Sequence, residues 1–169
     1  LLSGKSRLAG FSQKWICKEF GELVTLGKDR IDPKKSDKKY MCLELEHLDK
    51  ITGKIIGNNT TEDALSIKTV FKSKDVLFGK LRAYLRKYWL ADRDGVCSTE
   101  IWAFKATKEI IPEYLFQIVQ TDKFIYSATM SQGTHMPRSS WEVVSSQEIN
   151  IPIVEEQGAI VKILSSADK

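Results

Sequence analysis

Cys97-Ser98-Thr99-Glu100 sets a thiol and a hydroxyl beside a carboxylate, the arrangement in this chain that most invites a test for nucleophilic catalysis. A Cys or Ser nucleophile needs a positioned base, and the only histidines are His47 and His135. No known local nucleophile pattern surrounds Cys97 or Ser98. Leu2-Ser3-Gly4-Lys5-Ser6 ends like a phosphate-binding loop but lacks the upstream glycine and preceding strand that such a loop requires. The four prolines (Pro33, Pro112, Pro137, Pro152) are isolated, which removes the Asn- or Asp-Pro-Pro-aromatic motif of an amino-methyltransferase. No acidic cluster is spaced for nuclease metal ions. Catalysis is therefore not expected of this chain.

Recognition of a polyanion is a different chemistry, needing cations for phosphates and Arg or polar side chains for base edges. Two segments offer both. In Gly79-Lys80-Leu81-Arg82-Ala83-Tyr84-Leu85-Arg86-Lys87, strand alternation would place Lys80, Arg82, Tyr84 and Arg86 on one side, with Lys87 following. Ser131-Gln132-Gly133-Thr134-His135-Met136-Pro137-Arg138-Ser139-Ser140 lies in a stretch, Lys123 to Trp141, that holds no carboxylate. Arg138 suits a guanine edge or a phosphate and Gln132 an adenine; Thr134 and His135 complete a polar loop. Ser139 has two readings, a phosphate ligand at a helix start or a helix cap, and His135 also reads as an ordinary loop residue. A basic run also reads as a solvated face.

The charge distribution favours the first segment. The formal net charge is +4, and between Lys80 and Arg93 five bases (Lys80, Arg82, Arg86, Lys87, Arg93) against Asp92 give 5 − 1, the whole excess. Over residues 28 to 54, eight Lys or Arg are offset by six acids, although Lys34-Lys35 and Lys38-Lys39 would add phosphate contacts.

These residues must be held by a modest scaffold. At 169 residues and 42% hydrophobic, the chain supports one substantial core and one globular domain. It has neither an apolar run of the roughly 20 residues a membrane helix needs nor a signal-peptide core, so a cytoplasmic setting is expected. Cys17, Cys42 and Cys97 are odd in number and widely spaced, which argues against disulfides and zinc; all three are expected to be partly buried thiols. From Val70 to Phe104, aromatic and branched runs at Val76-Leu77-Phe78, Tyr88-Trp89-Leu90 and Ile101-Trp102-Ala103-Phe104 predict the sheet core. Shorter strands are expected at Tyr40–Leu45, Lys54–Ile56 and Glu148–Ile153. Pro112 opens a helix with Leu115, Ile118 and Val119 on one face, and a second helix runs from Lys123 to Met130. Ser139 with Glu142 fits a capping box starting a short helix over Trp141, Val143 and Val144. The class is α+β, a twisted, mostly antiparallel sheet with flanking helices and a C-terminal helix in which Ala159, Ile160, Ile163, Leu164 and Ala167 recur at helical spacing.

Gly133-Thr-His-Met-Pro-Arg-Ser-Ser-Trp141 running into Ile149-Asn-Ile-Pro-Ile153-Val-Glu-Glu-Gln157, with Asp75-Val-Leu-Phe-Gly-Lys80-Leu-Arg-Ala-Tyr84 and Asp94-Gly-Val-Cys-Ser98-Thr-Glu-Ile101 before it, resembles the DNA-specificity subunit of type I restriction-modification enzymes. Phe20-Gly21-Glu22 is the nearest match to the family's opening element, and Val154 stands where a second proline is common. The resemblance implies a target recognition domain (11–153) and the start of a spacer helix (154–169); a flexible leader (1–10) is expected before them, and Leu1 in place of Met is read as the start of a fragment. Ile160, Ile163 and Leu164 would meet a second helix, from another recognition domain or a homodimer partner; the alternative is a helix folded back on its own domain. Duplex DNA and the methylation and restriction subunits are the implied partners. No cofactor is expected in this chain; S-adenosylmethionine, ATP and magnesium belong to the partner subunits. Two other readings stay open: the recognition domain of a fused restriction-methylation enzyme, and a basic module for an acidic protein.

Overall fold

The computed structural model describes residues 1–4, 6–64, 66–130 and 136–167. In chain order its elements are β1 (Ile16–Glu19), α1 (Phe20–Leu23), β2 (Val24–Leu26), β3 (Arg30–Ile31), β4 (Met41–Leu43), β5 (Asn59–Thr60), β6 (Lys68–Phe71), β7 (Val76–Gly79), β8 (Tyr88–Leu90), β9 (Gly95–Cys97), β10 (Ile101–Ala106), α2 (Pro112–Gln120), α3 (Asp122–Thr129), α4 (Trp141–Ser145), β11 (Glu148–Ile151) and α5 (Val154–Ala167). Short 3-10 turns lie at Pro33–Lys35, Leu45–His47, Thr61–Asp63 and Ala83–Leu85.

The expected α+β class and antiparallel bias hold, with the strands divided among three sheets: β1-β11, β2-β10-β7-β8 and β3-β6-β9-β4-β5. Among the described residues, only β4 with β9 runs parallel. The four-stranded sheet is the middle layer, as its period-two alternation shows. Val76, Phe78, Tyr88 and Phe104 join Phe20, Leu115, Ile118, Val119 and Phe124 in a core on the helical side. Their strand neighbours Leu77, Trp89, Ile101 and Ala103 join Leu43, Phe71 and Cys97 in a second core toward the five-stranded sheet. Burial on both faces explains why these strands read as continuous apolar runs instead of an apolar–polar alternation. Close packing reaches the backbone at Gly95, where an added Cβ would lie 2.6 Å from the Phe71 ring and 2.9 Å from the Met41 carbonyl.

Most helices fall where the sequence places them. In α2, Leu115, Ile118 and Val119 are buried behind Pro112 in the first turn, and the Thr121 hydroxyl caps α3 by accepting from the Phe124 amide. The expected Lys54–Ile56 strand reduces to one isolated bridge between Leu48 and Ile55. Cys42 and Cys97 are buried as expected, but Cys17 is exposed, because β1 pairs only with β11 at an edge.

The two ends of the domain are fastened together. Leu1, Leu2 and Leu8, within the segment expected to be a loose leader, pack on the helical core. Arg7 Nε donates to Glu156 Oε1 at 2.7 Å, Nη2 donates to Oε2 at 2.8 Å, and the Trp15 indole N–H donates to Oε2 at 3.2 Å. Gln157 Oε1 accepts from the Ile111 amide at 2.9 Å, and its Nε2 donates to the Glu109 and Pro152 carbonyls. Glu156 and Gln157 are both wholly buried, so the Glu-Glu-Gln motif is an anchor for α5. Past that anchor the helix continues against α2. Ile160 is 1% exposed within its own core, which corrects its assignment to a partner helix; the fold-back alternative describes this part of α5. Leu164 is partly buried against the same core, and Ile163, 44% exposed, faces outward. No helix among the described residues is long and apolar enough to cross a membrane.

Candidate nucleic-acid interface

Residues 79–87 are the loop of the β7–β8 hairpin, which pairs Phe78 with Tyr88 and closes through the Gly79 amide on the Lys87 carbonyl. The expected strand alternation is overturned here. The loop folds as a 3-10 turn, Ala83–Leu85, flanked by Arg82 at φ 54° and Arg86 at φ 53°. Two non-glycine residues in the left-handed region are uncommon and are maintained by their surroundings. Ala83 is buried at the centre, and α3 packs on the turn. The consequence is a split: the first half of the loop faces one set of neighbours and the second half another.

The first half meets the second sequence-predicted segment. Leu81 bridges Arg138, the Arg82 amide donates to the Pro137 carbonyl at 2.9 Å, and the Ser139 amide donates to the Lys80 carbonyl at 2.8 Å. The Lys80 amide in turn donates to the Glu100 carbonyl at 3.0 Å. Backbone hydrogen bonds thus bring Lys80, Arg82 and Arg138 to one surface. Arg82 is exposed and Lys80 half-exposed, and neither has a charged partner among the described residues. Tyr84 (55% exposed) and Met136 (53%) flank them, with Tyr126 and Met130 also exposed on or just after α3.

The second half is internally committed. Arg86 donates to the Gln120 carbonyl at 3.1 Å and to the Asp122 carboxylate, clamping the turn to the α2–α3 junction. Lys87 donates to the Leu45 carbonyl, and desolvation, with the Lys50 charge adding to it, pulls its pKa down. The Arg86 carbonyl accepts from Ile51, and Tyr88 donates to the Ile51 carbonyl at 2.8 Å. Arg86 and Lys87 thus hold the turn to the rest of the fold, a role the sequence reading did not give them. Arg93 pairs with its neighbour Asp92.

Ser139 is corrected on both readings. It is 7% exposed, and its hydroxyl donates to the Ala128 carbonyl at 2.6 Å, with the Lys80 carbonyl at 3.2 Å. It pins the loop to α3 and cannot meet a phosphate. The N-cap of α4 is Ser140, without a side-chain cap bond, so no Ser139–Glu142 capping box forms. Gln132, Thr134 and His135 lie outside the described residues. The segment free of carboxylates in sequence is not so in space. Glu100 comes from the β9–β10 turn, and both its carboxylate oxygens accept from Arg138 Nε, at 3.1 and 2.9 Å. The sequence reading missed this residue because 38 positions separate the pair and only the Lys80–Glu100 and Leu81–Arg138 backbone contacts unite them.

Cys97 lies at the end of β9, wholly buried, and burial pushes its thiol far above the usual range. That is the opposite of a reactive cysteine. Among the described residues, no group of three or more His, Cys, Asp or Glu is placed to hold a metal ion.

The chain belongs to the family described as the type I restriction modification DNA specificity domain, whose model matches residues 12–169. A curated relative, the specificity subunit of the type I restriction enzyme EcoDI of Escherichia coli, is 29% identical over 119 residues, 69% of this chain and 26% of the relative. Among solved structures, the HsdS subunit of Thermoanaerobacter tengcongensis superposes with a TM-score of 0.79 at 25% identity, over 99% of this chain and 44% of that one. A chain from a structure concerned with complex assembly and conformational transition of the type I R-M system gives a TM-score of 0.80 at 26% identity, over 93% of this chain and 43% of that one. The chain spans about a quarter of the curated relative's length and under half of these structural neighbours.

Proposed function

We propose that this chain is a target recognition domain that binds duplex DNA sequence-specifically for a type I restriction-modification complex in the cytoplasm. The observation that carries this reading is the joining of two separated segments into one surface that exposes Lys80, Arg82 and Arg138 beside Tyr84 and Met136. Cations at the turn meet phosphates and set the register, while Arg138 meets base edges. Family membership supports duplex DNA as the polyanion. The domain itself is non-catalytic in this reading. Methylation and restriction subunits, using S-adenosylmethionine, ATP and magnesium, perform the chemistry that the selected site directs. The outward side of α5 at Ile163 is where a second helix, from another recognition domain or a second copy, would join it.

The test is retention of randomised duplex DNA by the purified chain, alone and with its methylation subunit, followed by sequencing. Enrichment of a half-site, or of a split motif when the partner is present, is expected. Retention without enrichment would reduce the surface to a general phosphate binder. Loss of all retention with the partner present would overturn the reading.

A further inference from the structure

The Cys97-Ser98-Thr99-Glu100 turn begins at a buried thiol and is fixed by several hydrogen bonds. The Glu100 amide donates to the Ser98 hydroxyl at 3.2 Å, the Ile101 amide donates to the Ser98 carbonyl at 2.9 Å, and the Glu100 carbonyl receives the Lys80 amide. The Glu100 backbone is therefore fixed between β9 and β10, and its half-buried carboxylate points at Arg138. On the other side, the Leu81 bridge holds the Arg138 backbone. The pair meets in an unusual way, with Arg138 Nε alone shared between both carboxylate oxygens. Among the described residues, Nη1 and Nη2 of Arg138 have no hydrogen-bond partner. The guanidinium is held at its Nε end, its side chain is 46% exposed, and a planar fork of terminal N–H donors is left over for a ligand.

We propose that Glu100 is a positioning residue, holding Arg138 so that its two terminal nitrogens read the O6 and N7 acceptors of one guanine in the major groove. This rests on the DNA-recognition reading above and adds to it a base identity and the residue that enforces it. A fork held in place reaches both acceptors without the loss of side-chain freedom that a loose Arg would incur, and the wrong base leaves its donors unpaired. A carboxylate beside DNA is otherwise repulsive, so its presence costs affinity for every sequence and is repaid only as discrimination. That opposition makes the two roles of Glu100 separable by sign.

The experiment measures binding of the chain to its selected duplex and to duplexes substituted at each position, for wild type, E100A, E100Q and R138K. Wild type should prefer guanine at one position by about 5- to 150-fold. E100A should bind non-matching DNA more tightly than wild type while losing most of that preference. E100Q keeps an acceptor for Nε and should retain most of it, with the same rise in general affinity. R138K, a point charge without a fork, should keep general affinity and lose the preference. A strengthening of all sequences alike in E100A would reduce Glu100 to a repulsive neighbour and overturn the proposal, leaving DNA recognition standing. Absence of any selected motif in the wild type would overturn both.

Discussion

Two arginine–glutamate pairs in this domain share chemistry and differ in what they leave unused. Arg7 meets Glu156 side-on, through Nε and Nη2 on separate oxygens; its Nη2 also donates to the Gln13 carbonyl, and its guanidinium lies 5.6 Å from the Trp15 ring centre. The Glu156 side chain is 1% exposed, and a third donor, from Trp15, completes it. Arg138 meets Glu100 through Nε alone, both partners stay partly in water, and among the described residues the terminal nitrogens have no hydrogen-bond partner. The first pair is an anchor whose donors and acceptors are engaged in the fold; the second is an aimed group with donors to spare. The same contrast divides the hairpin loop, where Arg86 and Lys87 are tied to carbonyls while Lys80 and Arg82 are presented. What a polar residue leaves uncompensated is a property of the fold rather than of the residue type.

The largest effect expected from breaking this comparison is at Arg7. Its replacement by Ala strands the buried Glu156 carboxylate with one indole donor and should cost about 3 kcal/mol or more, read as a lower urea midpoint at unchanged slope. Gly95→Ala should follow at about 1–3 kcal/mol, since Phe71 and the Met41 carbonyl leave no room for a methyl group. Glu100→Ala removes a partly exposed pair and should change stability by no more than about 1 kcal/mol. The smallest effect is chemical: in the native protein a bulky thiol reagent should label Cys17 and spare Cys42 and Cys97, which are 1% and 0% exposed. Labelling of Cys97 before unfolding would contradict the burial of β9.

Much of this was legible in the residues. Strands β7, β8 and β10 and helices α2 and α3 follow from local composition, and the functional family followed from motifs around Gly79, Ser98 and Gln157. Within the site, proximity in sequence misled where the backbone turns. Alternation over residues 80–87 assumed a strand, but left-handed conformations at Arg82 and Arg86 wind the segment into a turn and send its two ends to different neighbours. Ser139 resembled a cap because Glu142 follows at the right spacing, and only the approach of α3 reveals its hydroxyl bonded to Ala128. Glu100 was seen as a nucleophile's neighbour because its real partner comes from a distant segment. Likewise the burial of Glu156 depends on Arg7, at the opposite end of the chain.

The measurement closest to the central claim is the salt dependence of duplex binding in two double variants, Lys80→Ala with Arg82→Ala and Arg86→Ala with Lys87→Met. The presented pair should flatten the log–log slope by up to about 1.8, near 0.9 for each phosphate neutralised. The committed pair should leave the slope unchanged and lower stability instead. Equal flattening by both, or flattening by the second alone, would contradict the division of the loop on which the account rests.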